Sequence, residues 1–121
     1  MGIKSAFITL LIMIAAIAAN SFFIVNSVNE MYHISCDGPD DTIEDISKKH
    51  ERISKLFASR EMIISLSVSH EDLTDIEMLL YEIRGAIDAS DLNAATVAKS
   101  RLDNALLHLG RLSSLNIESI L

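Results

Sequence analysis

Two histidine–glutamate pairs are the first places to look for chemistry. His50-Glu51 and His70-Glu71 each begin like the zinc-binding helix His-Glu-x-x-His, where a second imidazole one turn later completes the metal face. That position holds Ser54 in one case and Thr74 in the other, so neither pair makes a zinc site. His70 falls instead where it supports a helix start. His108, beside Leu109, reads as a partly exposed helix residue, and His33 is a single imidazole with no visible partner for pH sensing. Asp37, Asp40, Asp41, Glu44 and Asp45 supply the oxygens that calcium prefers, but not the spacing of an EF-hand loop. They fit better as a turn running into a helix N-terminus, which favours negative charge. The serines cluster at expected caps and turns, where they bond the local backbone rather than act as nucleophiles. Cys36 is the only cysteine, so no disulfide can form within the chain, and pairing between molecules is left open. No catalytic, cofactor-binding or metal-ligating residue is assigned, no cofactor is expected, and the chain does not read as an enzyme.

What would position these residues is helical. Residues 6–25 are apolar except for Thr9, Asn20 and Ser21, and Lys4 is the only charged side chain before Glu30. Twenty residues at about 1.5 Å each span about 30 Å, the hydrocarbon thickness of a bilayer. The segment is read as a single transmembrane anchor over 1–28. Under the positive-inside rule Lys4 holds the N-terminus in the cytoplasm and the rest of the chain faces out. A cleaved signal peptide is the competing reading, with Ala16-Ile17-Ala18 as its processing site. Phe22-Phe23-Ile24-Val25 argues for retention, because it carries the apolar run past that site. Ala15 and Ala19 form a small-xxx-small pair that could let two anchors pack closely, but alanine is so common in membrane helices that plain lipid-facing filler is the favoured reading, and a homo-oligomer is left open. The formal charge is −7; with Lys4 set aside, nine basic face seventeen acidic residues beyond the anchor. Such a body repels phosphate backbones, so nucleic acid is not an expected partner.

Asp37-Gly38-Pro39-Asp40 breaks the chain, and 29–40 is read as a juxtamembrane linker. An extracytoplasmic helical domain over 41–121 follows. Asp41-Thr42-Ile43-Glu44 fits a capping box, and Ile43, Ile46, His50, Ile53, Phe57 and Ile64 share a face of the helix it opens. Ile64 to Ser69 alternates like a strand but, with no partner strand, is expected to be a fraying helix end. Ser69 caps the next helix, whose stripe is Leu73, Ile76, Leu80, Ile83 and Ile87 and which ends near Ala89. Ser90-Asp91 caps the last, with Ala95, Ala98, Leu102, Ala105, Leu109 and Leu112 facing inward and Lys99 expected outside. Two stripes joined by so short a turn must fold back on each other. Small residues at Gly85, Ala86, Ala89, Ala94 and Ala98 are expected to let the backbones approach near that turn, and 115–121 to pack back on the bundle. A fragment starting near Asp40 is expected to fold alone.

The stretches Ser69-His70-Glu71-Asp72-Leu73-Thr74-Asp75-Ile76-Glu77, Asp91-Leu92-Asn93-Ala94-Ala95 and Leu115-Asn116-Ile117-Glu118-Ser119-Ile120-Leu121 occur in the order found in a family of small bacterial membrane-anchored proteins. The chain resembles that family, called domain of unknown function 4363, over residues 60–121 and, by type, in its anchor. The resemblance implies an anchored helical protein and no reaction. Together these readings predict an all-α chain: an N-terminal transmembrane helix, then a small antiparallel helical bundle built around a helical hairpin. The expected role is a protein-binding or structural component of a cell-envelope complex. The alternative is an extracytoplasmic domain that senses a small ligand or ion.

Overall fold

The computed structural model describes residues 2–66 and 68–120, with the side chains of 116–120 left aside. It contains four helices: α1 (Ile3–Ser35), α2 (Ile43–Ile64), α3 (His70–Asp88) and α4 (Leu92–Ile120). The chain is all-α, an apolar N-terminal helix leading into a helical bundle. Each helix packs on its neighbours in the cycle α1, α2, α3, α4, and α1 packs most extensively on α4.

α1 is one unbroken helix, about 50 Å long at the usual rise, with two different halves. Over residues 3–20 it is an apolar rod clear of the bundle, exposing Phe7, Ile8, Leu10, Leu11, Ile12 and Met13. It is long and apolar enough to cross a membrane. Over residues 21–35 it buries Ser21, Ile24, Ser27, Val28, Met31 and Ser35. Ser21, Ile24, Val28, Met31 and Ser35 recur at alternating steps of three and four, the spacing of a helix packed in a core. Residues 29–35, expected in a linker, are therefore the last turns of a core helix, and the break comes only at Cys36 to Thr42. Phe23 and Ile24 belong to the core cluster as well. Their apolar character thus has a cause in bundle packing and no longer argues for retention of the anchor.

Gly38, at φ +92°, makes the turn after α1. The capping box that opens α2 sits one residue later than expected: Thr42 accepts from the Asp45 amide at 3.1 Å, and the Asp45 carboxylate accepts from the Thr42 amide at 3.3 Å. Thr42 wins over Asp41 because its partner Asp45 lies three residues on with its carboxylate within reach. α2 buries Ile46, Lys49, Ile53, Phe57 and Ile64 and ends there, as expected of a fraying end rather than a strand; Ser67 lies outside the described residues. Ser69 caps α3, accepting from the Asp72 amide at 3.1 Å. α3 closes in a Schellman motif: Ser90 takes φ 53°, the Asp91 amide donates to the Ala86 carbonyl at 2.9 Å, and the Ser90 amide to the Ile87 carbonyl at 3.0 Å. Asp91 then caps α4 by accepting from the Ala94 amide at 3.1 Å.

α4 buries Ala95, Ala98, Lys99, Leu102, Leu106, Leu109 and Ser113. Leu106 takes the inner place expected of Ala105, and Leu112 lies outside, because α4 is wedged between α3 and α1 and its buried face is wider than a single stripe. The tight backbone approach is not at the α3–α4 turn but at Gly110, where a Cβ would meet Val28 Cγ1 at 3.3 Å. Gly85 has open space where its side chain would be. α4 continues as a helix to Ile120; the side chains of 116–120 and the whole of Leu121, on which the expected packing of 115–121 against the bundle depends, lie outside the described part.

Candidate functional site

Two polar loci stand out, one at the end of the bundle where α1 stops and one in the groove between α2 and α3. At the first, Lys49 and Lys99 are both almost fully buried and converge on Asp40, their Nζ atoms 2.7 Å from its two carboxylate oxygens. Lys49 also donates to the carbonyls of Ser35 at 3.0 Å and Gly38 at 2.7 Å. Lys99 lies 3.7 Å from Asp103, whose other oxygen accepts from the Ser35 hydroxyl. Burial pushes the Asp40 carboxyl up, but the hydrogen bonds and charges of Lys49 and Lys99 outweigh it and hold the group below its ordinary 3.8. This cluster ties the C-terminus of α1, the acidic turn, α2 and α4 together. Three other members of the acidic stretch are spent locally: Asp45 in the cap, Glu44 on Lys48 at 3.5 Å, Asp37 on Arg52 at 3.5 Å. Among the described residues no group of three or more His, Cys, Asp or Glu converges as a metal site.

Lys99 corrects its expected place on the outer face. Its backbone stands beside Ala95, Ala98 and Leu102, and its long stem carries the ammonium to Asp40. A single sequence cannot distinguish such a lysine from a solvated one, because the partner lies 59 positions away.

The second locus exists because α2 and α3 are the loosest of the neighbouring helix pairs. Between them runs an open groove of about 490 Å³ lined by His50, Ser54, Phe57, Glu61, Glu77, Leu80, Tyr81 and Arg84. Phe57 and Leu80 form an apolar floor, and charged groups stand along the rim. The Glu61 carboxyl is raised above its ordinary 4.5, first by a hydrogen bond with Glu77, then by burial and by the Glu77 charge. Two carboxylates side by side favour one shared proton or an incoming cation. Half-buried His50 places Nε2 at 2.9 Å from the Leu80 carbonyl and 3.4 Å from the Ser54 hydroxyl, so Nε2–H donates to the carbonyl and bridges α2 to α3. Burial lowers its pKa below 6.5, reinforced by Arg84 and opposed by the Leu80 carbonyl and Asp88.

No family model, curated protein or solved structure matches the chain. The groove therefore has to be read from its own chemistry. It combines an apolar floor, a carboxylate pair and a neutral imidazole already engaged by a carbonyl. The Ser54 hydroxyl stands 3.4 Å from His50 Nε2, but that nitrogen carries the proton given to the Leu80 carbonyl and so does not face Ser54 as a base. His33, His70 and His108 are exposed and contribute nothing to it. Cys36 is exposed and free at the C-terminus of α1. Of the histidines weighed from the sequence, His50 lines the groove, beside Ser54 and the stripe residues Phe57 and Leu80. Glu61 and Glu77 were legible as acidic helix residues, but their pairing follows from how α3 packs against α2.

Proposed function

We propose that this chain is a membrane-anchored, non-enzymatic binding component of a cell-envelope complex. In this reading α1 crosses the bilayer with Lys4 in the cytoplasm, and the outward-facing bundle receives a basic side chain of a protein partner in the α2–α3 groove. The observation that carries it is the Glu61–Glu77 pair over the Phe57–Leu80 floor. An arginine or lysine presented on an apolar helix would end the repulsion between the carboxylates while its neighbours cover the floor, the usual mode of helix-in-groove recognition. The apolar rod of α1 supports the anchor. Kinship with the domain of unknown function 4363 proteins, proposed from residues 60–121, agrees with such a role and adds no activity.

The test is a photo-crosslinking residue at Tyr81, which is exposed on the groove. In cells it should capture a partner, and charge reversal by Glu61→Lys with Glu77→Lys should abolish capture from a chain that still folds. Capture indifferent to that reversal overturns the reading.

A second reading has its own support: the groove volume suits a small organic cation. A diammonium compound that raises the melting temperature of the wild-type protein, but not of the double glutamine variant, would favour a ligand sensor. Cleavage near Ala18 also keeps a place, because burial of α1 begins only at Ser21 and the bundle is whole either way. The N-terminal mass of the mature protein decides between anchor and released domain.

A further inference from the structure

The two ends of the bundle differ in a way that the fold does not require. At the far end, the turns carry Asp37, Asp40, Asp41 and Asp91. At the other end, where the rod of α1 emerges, the α2–α3 turn has no charged side chain from Met62 to Ser69. Met62 and Leu66 are 80% and 78% exposed, and Ile63 is exposed as well.

Their level along α1 follows from contacts. α2 runs antiparallel to α1: Lys49 reaches the Ser35 carbonyl, whereas Arg60 donates to Ser27 at 3.0 Å and lies over the Phe23 ring at 5.5 Å. Each later helix residue advances about 1.5 Å toward the N-terminus of α1. Met62, Ile63 and Leu66 therefore stand level with residues 21–23, where the apolar surface of the rod begins. Arg60, held by Glu30 at 2.9 Å, stands just behind them, at the depth a snorkelling arginine takes among headgroups.

We infer that Met62, Ile63 and Leu66 insert into the headgroup–acyl boundary of the bilayer leaflet from which α1 emerges, seating the bundle on the membrane at a second place. This rests on the reading of α1 as a membrane span. The occupant is lipid, because the patch stands at the level where the exposed apolar surface of α1, the proposed membrane span, begins. The patch carries no lysine or arginine between Arg60 and Arg84, so the contact is apolar insertion rather than attraction to anionic headgroups.

The test uses the full chain in phosphatidylcholine vesicles with an environment-sensitive fluorophore on one cysteine at a time. Native Cys36 marks the far end, about 20 Å from the membrane; Leu66→Cys and Ile12→Cys are made with Cys36→Ser, and Met62→Cys replaces Leu66→Cys should that variant fail to fold. Shallow nitroxide lipids should quench the Leu66 label several-fold more than the Cys36 label, and aqueous iodide should do the reverse. An Ile12 label quenched by lipid together with a Leu66 label as open to iodide as Cys36 overturns the insertion while sparing the anchor. A Leu66 label shielded from both quenchers is covered by protein, which also overturns it. An Ile12 label in water removes the membrane reading and this inference with it.

Discussion

Asp40 is the residue on which most of the polar structure depends. Its carboxylate compensates two buried ammonium groups, and removing one partner of a buried pair usually costs more than the pair contributes. Asp40→Ala should destabilise the bundle by about 3 kcal/mol in denaturant titration, whereas Glu44→Ala, which loses only an exposed pair, should cost a few tenths. Because the folded carboxyl sits below its ordinary 3.8, its contribution is present above that pH and is lost as pH falls through the lower folded value. His50 adds a second slope at milder acidity. Burial holds its folded pKa below 6.5, so between those values the unfolded chain binds more protons and stability falls on acidification. Denaturant midpoints at pH 7.5 and 5.5 should differ for the wild type and differ less for His50→Gln.

At the scale of the helices, the strain and the packing can be tested separately. Ser90 occupies the left-handed position of the Schellman motif, where a side chain is disfavoured. Ser90→Gly should therefore stabilise the hairpin by about 1 kcal/mol, read from the shift in the denaturant midpoint. In α4, Leu102 has no exposed surface and Leu112 is 39% exposed. Leu102→Ala should cost about 2 to 5 kcal/mol, and Leu112→Ala much less. Equal losses would place the α4 register elsewhere.

For the molecule as a whole, the continuity of α1 decides what can be removed. A fragment beginning near Asp40 would lose Ile24, Val28 and Met31 from the core cluster, leaving the buried face of α4 at Leu106 and Leu109 without the helix it packs on most extensively. Such a fragment should show no cooperative melting by circular dichroism, while one beginning at Ala19 should melt cooperatively. The same continuity makes the apolar rod a rigid extension of the bundle rather than a tether. In the proposed membrane-spanning reading, the helix therefore fixes how the groove is oriented to the bilayer.

The existence of four helices, two of their caps and the apolar rod was written in the sequence, because capping chemistry and the 3.6-residue period act between residues a few positions apart. Ser69 and Asp91 could be placed from their neighbours alone, and so could the stripe from Leu73 to Ile83. The alternation of Ser21, Ile24, Val28, Met31 and Ser35 was there too, but it was masked by the uniformly apolar run before it, since a helix greasy on every side shows no face. Tertiary structure alone decided the rest. Lys49 and Lys99 became core residues because a turn brought Asp40 within 2.7 Å of both. Glu61 met Glu77 because α3 folds back against α2, and the apolar turn at Leu66 came level with the emerging α1 because α2 runs back along it. Each is a relation between distant segments, set by how the buried faces pack, on which the local sequence places almost no constraint.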